Sequence, residues 1–206
     1  MLRIFILVIG LVLIAQGTLA QEEEKPPVLM EKIVETSPDG KFAMRIKYDK
    51  ALNDRMLSGN NPKPPHDIFS QAISMIELVS LPEKEAVAIL FDAEKEGGNT
   101  FGITLLWSTD SKWCAFFLSY PRTGYTTVYN LRGKKFKAVN KPEDLSPPTK
   151  GSVRNEHIIP KRWVKPGTLQ LSVERVFRGD DEADGVNGFI ARFDGKGKFQ
   201  ILRKIR

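Results

Sequence analysis

LLWSTDSKWCAFFLSY, residues 105–120, sets a polar knot, STDSK, between two runs that are almost wholly apolar. A catalytic loop and a plain turn would both look like this, and the choice decides the fold. Residues 36–46, TSPDGKFAMRI, favour the turn. Laid without gaps over WSTDSKWCAFF, residues 107–117, they match Ser37 with Ser108, Asp39 with Asp110, Lys41 with Lys112 and Phe42 with Trp113. In the earlier copy Pro38 presets φ, Asp39 can bond the backbone and Gly40 can take a left-handed conformation, so SPDG makes a tight turn. STDSK then makes a turn of the same kind, and Asp110 is expected to bond backbone amides rather than serve as an acid or base. Ser111 stands where Gly40 does, which implies either strain or a different local fold.

Working outward, KFAMRIKYD puts Phe42, Met44, Ile46 and Tyr48 on one face of an extended chain and Arg45 and Lys47 on the other, the pattern of a half-buried strand. ISMIELVSL and AVAILFD flank PEKE as a hairpin, and TTVYNLRGKKFKAV holds another after the second copy. Before Ile73, DIFSQAISMI also fits a helical stripe, so a short helix there is the rival reading. WVKPGTLQLSV, residues 163–173, is a third and weaker copy whose proline falls one place late, implying a turn of another type. GFIARFDGKGKFQIL follows it with a turn at Asp194 to Lys196. The recurring order of turn, inner strand, loop and outer hairpin is that of a repeat protein with units at about 31–92, 101–140 and 160–206.

SPDGKFAMRI and LLWSTDSKWCAFF resemble the W-S-x-D-G/S-K motif in the propeller blades of the TolB and related WD40-like exported proteins. That resemblance covers about a third of residues 21–206. It implies a turn leading into a blade strand, an aromatic side chain packed between blades, and a scaffold that serves as a protein-binding platform. Three units are too few for a ring, since propellers close with about four to eight blades. The expected fold class is therefore all-β, with two or three blade-like antiparallel repeats in an incomplete propeller or a twisted sandwich. An open stack would leave strand edges for another chain or the N-terminal segment to cover.

Residues 1–20, MLRIFILVIGLVLIAQGTLA, carry one early cation at Arg3, an apolar run from Ile4 to Ala15 and small residues before Gln21, the layout of a secretory signal peptide. The run is shorter than the roughly 20 residues that a membrane span needs, so cleavage after Ala20 and no stable span thereafter are expected. Export to a periplasmic or extracellular space follows, with residues 21–206 as one β-rich domain. The lone Cys114, in an aromatic setting, reads as a buried apolar residue and cannot form an internal disulfide. The formal net charge of +6 is one less without Arg3. That mild excess suits anionic lipid headgroups or wall polymers as partners, and export argues against nucleic acid.

Chemistry is thin. His66 and His157 sit in loop-like contexts, no G-x-S-x-G elbow mounts a nucleophile, and the neighbours of Cys114 do not activate a thiol. His66-Asp67 and Glu156-His157 are adjacent pairs that point apart in an extended chain. DDEADG, residues 180–185, copies the opening of a calcium loop at Asp180, Glu182, Asp184 and Gly185, yet Ala191 stands where the bidentate glutamate belongs, so an EF-hand is excluded and a solvated hairpin loop is preferred to a looser surface calcium site. One cysteine and two distant histidines make no zinc set, and no nucleotide-binding glycine motif occurs. Cations gather in RGKKFK, in PKRWVK and at the C-terminus, where solvated strand faces are the ordinary explanation. Trp107, Trp113 and Trp163 fall at or beside the repeat turns, where packing between units is the expected use.

The polar insertions 50–67 and 140–157 are the places where loops would carry binding. No catalytic, cofactor-binding or metal-ligating residue is assigned. The expectation is an exported, non-catalytic binding or envelope-associated protein. The alternatives are a periplasmic hydrolase with a loop-built site and a binder of anionic envelope polymers acting through Lys134, Lys135 and Lys204.

Overall fold

Alternation along β2 (Phe42–Asp49) sorts its side chains as the sequence implies: Met44 and Ile46 are fully buried, while Arg45 and Lys47 face outward in an ion-pair cluster. β1 (Leu29–Val34) and β3 (Ile73–Ser80) pair with it antiparallel, and β4 (Ala86–Asp92) pairs with β3, completing a four-stranded meander. The computed structural model describes residues 27–59, 61–97, 100, 102–179 and 187–205. Residues 1–20 and the acidic run 180–185 lie outside the described residues. Within these residues the fold is all-β, with three successive meanders and no closed barrel. The second comprises β5 (Gly102–Trp107), β6 (Trp113–Ser119), β7 (Thr123–Arg132) and β8 (Lys135–Ala138). The third comprises β9 (Val153–Lys165), β10 (Thr168–Phe177), β11 (Gly188–Phe193) and β12 (Phe199–Ile205).

The second and third meanders share one sheet because β8 is short. It covers only Tyr129 to Arg132 of β7, leaving the start of that strand to pair parallel with β9 at Thr123–Glu156 and Gly124–His157. Between the two, Asn140 acts as a substitute peptide: its Oδ1 accepts from the Val128 amide at 2.8 Å and its Nδ2 donates to the Thr126 carbonyl at 3.0 Å. Gly124 permits the junction, since a Cβ there would come within 2.6 Å of both Phe117 and His157.

Two apolar layers hold the stack. Met44, Ile46, Ile76, Leu78 and Phe91 of the first meander pack against Cys114, Phe116, Leu118, Tyr129 and Phe136 of the second. Ala115 and Val128, on the opposite face of the second, pack with Ile158, Leu169, Leu171, Phe189 and Ala191 of the third. The middle meander is thus covered on both sides. That is why β6 reads as a continuous apolar run rather than an alternating one. Each fully buried Leu, Ile or Phe contributes about 1.5–3 kcal/mol through removal from water.

The two matched turns are the same structure. Ser37 and Ser108 each accept the amide five residues on (Phe42 at 3.0 Å, Trp113 at 3.1 Å) and donate to the aspartate two residues on. Asp39 and Asp110 each accept the following lysine amide at 3.1 Å. Gly40 and Ser111 are both left-handed, with φ of 71° and 56°. Ser111 therefore keeps the turn geometry at a conformational cost, and its Oγ accepts the Asp39 amide at 3.0 Å, joining one turn to the other. The third turn differs, as its displaced proline implies: it is two residues long, Pro166–Gly167, with Gly167 at φ 69°.

Indoles tie each unit to the one before it. Trp107 Nε1 donates to the Glu35 carbonyl at 2.7 Å, just beyond β1, and Trp163 Nε1 donates to the Leu106 carbonyl in β5 at 2.9 Å. Phe42, Trp107 and Phe136 cluster at centroid separations of 5.0 to 6.5 Å, and Trp113 tilts against Trp163 at 6.3 Å.

Several expectations need correction. The insertion 50–67 is not all loop: Lys50–Leu57 is a helix, α1, whose N-terminus is capped by Asp49 through the amides of Ala51 and Leu52. The helical reading before Ile73 reduces to a 3₁₀ turn, Ser70–Ala72. The insertion 140–157 contains a 3₁₀ turn, Pro142–Leu145, with Leu145 fully buried, and its last residues belong to β9. The third unit accordingly opens at Val153 rather than near 160. His157 is a half-buried strand residue, not a loop residue.

Candidate functional site

Pairing of β6 with β7 places Leu118 beside Tyr125, Phe116 beside Thr127 and Cys114 beside Tyr129, all on the face turned to the first meander. Around Trp107 the gap between the meanders is filled by Phe42 and Phe136. Farther from the turns it opens into a cleft of about 580 Å³. Tyr120, Tyr125, Thr127 and Tyr129 line one wall, Leu90 of β4 the other, and Glu96 stands at the end of α2 (Ala93–Glu96). The segment Asn140–Glu143 forms a lip.

These positions are fixed by regular structure. α2 begins where the Asp92 carboxylate accepts the Glu94 amide at 3.2 Å, and Asp92 also holds Lys95 at 2.7 Å. Partial burial raises the Glu96 carboxyl above its ordinary range; a hydrogen bond from Tyr120 opposes the rise and the Asp92 charge adds to it. Burial, with the neighbouring Glu96 charge, raises the Tyr120 phenol as well. Tyr129, more deeply buried, sits well above the ordinary phenol range for the same leading reason. The two phenols are therefore neutral hydrogen-bonding groups at physiological pH. The lining offers a ligand aromatic rings, hydroxyls and the carboxylates of Glu96 and Glu143.

The residues singled out in the sequence lie elsewhere. Asp110 is a turn residue bonded to Ser108 and to the Lys112 amide. His66, at φ 62° in the 3₁₀ turn Pro65–Asp67, faces Glu35 with Nε2 3.5 Å from Oε1. His157 Nε2 lies 3.4 Å from the Tyr120 carbonyl, while Glu156 beside it binds Arg175 at 2.5 Å on the other side of the strand. Among the described residues neither imidazole meets a hydroxyl nucleophile. Cys114 is fully buried, and burial pushes its thiol well up. No group of three or more His, Cys, Asp or Glu side chains suited to a metal occurs among the described residues. No helix among them is long and apolar enough to cross a membrane.

Sequence reasoning missed the cleft. Its one local signal is the alternation Tyr125, Thr127, Tyr129 along β7, which puts three hydroxyl-bearing side chains on one face. In comparisons with known proteins, no family model and no curated sequence matches the chain.

Proposed function

We propose that the protein is an exported, non-catalytic binding module of the cell envelope or its surroundings, built from units similar to TolB-like and WD40-like propeller blades. It engages its ligand in the tyrosine-lined cleft between the first two units. The observation that carries this reading is the cleft itself: aromatic walls on rigid strands, with few polar groups converging, are what binding sites present. The repeated turn and the indole bridges support the likeness to propeller blades, and the N-terminal twenty residues support export. A hydrolase has less behind it, because the imidazoles face the Glu35 carboxylate and the Tyr120 carbonyl and neither imidazole lines the cleft.

The test is a thermal-shift screen of the purified protein against envelope peptides, glycans and lipids, repeated with Tyr125→Ala. A ligand that raises the melting temperature of the wild type and not of the variant supports the cleft. Ligands that act equally on both would sink it. Mass spectrometry of the exported protein should find Gln21 at its N-terminus.

Exposed Lys134 and Lys135 on the β7–β8 hairpin, with Lys204 on β12, favour a second reading in which anionic envelope polymers are bound. Retention on heparin that survives about 0.3 M salt and falls on replacing these lysines would support it, whereas elution at low salt would exclude it.

A further inference from the structure

The charge in the cleft is one-sided in a way that narrows the ligand, if the cleft is the binding site proposed above. Glu96 stands at its edge with no cation of the described residues within 4.0 Å. Lys95, the nearest lysine in sequence, is committed to Asp92 at 2.7 Å and does not serve Glu96. On the lip, Glu143 adds a second carboxylate against the single Lys141, so the lining carries a net negative charge. Tyr120 lines the cleft together with Glu96 and holds its phenol neutral beside the carboxylate.

The walls suit the same charge. Tyrosine ring faces carry negative electrostatic potential and attract cations within about 6 Å, most strongly where water is excluded. Leu90, Phe116 and Leu118 extend the cavity with apolar surface too large for an ammonium group alone. An anion would find one exposed cation, Lys141, set against two carboxylates in the lining. A neutral ligand would leave the carboxylate partly desolvated without compensation.

We infer that this cleft binds an organic cation, an ammonium or guanidinium group on an apolar stem, with Glu96 as counter-ion and the rings of Tyr120, Tyr125 and Tyr129 as walls. Association exchanges the water around Glu96 for a fixed opposite charge and covers the apolar wall with the stem. Charge sets the discrimination and the stem adds affinity.

The experiment titrates the purified protein with hexylammonium, hexylguanidinium, hexanol and hexanoate, following tyrosine resonances by NMR. Both cations should bind at least about tenfold more tightly than hexanol, and hexanoate most weakly. Glu96→Gln should bring the cations down to the level of hexanol without weakening hexanol itself. Tyr125→Leu should weaken the cations with the stem contacts retained. Blocked lysine amide, run alongside, separates a peptide-borne cation from a free amine by which of the two binds more tightly. Equal affinities for hexylammonium and hexanol, or a cation preference that survives Glu96→Gln, overturn the assignment of charge and leave the cleft as a binding site. Absence of any shift at the cleft tyrosines with all four probes overturns both.

Discussion

Replacing Ser108 by alanine tests whether the repeated turn is a structural device. Ser108 is fully buried, and its Oγ is the acceptor for the Trp113 amide at 3.1 Å and a donor to Asp110 at 2.5 Å. The Ser108 carbonyl meanwhile accepts the Ser111 amide at 3.0 Å, and the hydroxyl is the acceptor for Trp113. Ser108→Ala thus strands a buried N–H, which costs about 1–3 kcal/mol, and removes a hydrogen bond to a carboxylate that retains the Lys112 amide. The expected loss is about 2–3 kcal/mol, or about 4–12 °C in Tm for a chain of this size. Ser37→Ala removes the equivalent bonds, to Phe42 and Asp39, and should lose a similar amount. Exposed Thr109→Ala is the control and should stay within about 0.5 kcal/mol. Urea denaturation followed by circular dichroism measures all three. A Ser108→Ala loss below about 0.5 kcal/mol, or a serine pair differing by more than about 2 kcal/mol, would refute the equivalence of the two turns.

At Ser111 two effects oppose: Ser111→Ala gives up the bond to Asp39 and keeps the left-handed φ, costing about 1 kcal/mol, whereas Ser111→Gly relieves the backbone and should be nearly neutral in the same urea assay. Gly188→Ala would push a Cβ to 2.4 Å from the Leu171 carbonyl, and backbone cannot swing aside, so a loss of about 3 kcal/mol or failure to fold is expected on denaturation or expression trials. Cys114 should resist thiol reagents such as dithionitrobenzoate until the protein unfolds, because the thiol is buried and its ionisation suppressed; rapid labelling of the native state would contradict this. The folded chain holds the Glu96 proton more tightly than the unfolded chain does, so this group's contribution is complete below its unfolded pKa and is lost as pH rises through its folded value. Relative to wild type, Glu96→Gln should therefore gain in urea midpoint between pH 4 and pH 7, with Asp92, Lys95, Tyr120, Lys141 and Glu143 as the surrounding groups that must be unchanged.

What the sequence made legible was set by local chemistry. β2 and the two serine–aspartate turns could be read because alternation and turn residues act within about ten positions. α1 could not, since KALNDRML has no strong apolar stripe and is held by the Asp49 cap and by buried Asn53, which donates to the Asp67 carbonyl and accepts the Phe69 amide. β9 was obscured by Pro160, a residue that normally demotes a strand. It is accommodated opposite Leu171, where the register with β10 shifts. The cleft was out of reach for a different reason: Glu96 and Leu90 meet Tyr120, Tyr125 and Tyr129 only through the packing of one meander on another.

That packing is itself written into the strands by how polarity alternates. β6 buries Cys114 through Leu118 without interruption, which only a strand covered on both faces can do. β2 buries Met44 and Ile46 but turns Arg45 and Lys47 to a face where both reach Glu77, at 2.8 and 3.1 Å, with Glu31 at 3.5 Å from Arg45. β10 buries Leu169, Leu171 and Val173 and turns Gln170 to a face where Arg162 bonds it at 3.0 Å, beside a second arginine–glutamine pair, Arg192 and Gln200. Covering either end with another unit would desolvate charges that are now partly hydrated, a penalty of several kcal/mol per ion that packing would have to exceed. Terminal repeats with polar outer faces end a stack in this way. The same alternation that makes the middle unit apolar on both sides therefore turns ion pairs and side-chain amides outward on the outer two, among the exposed apolar residues Ile89, Val176 and Leu202.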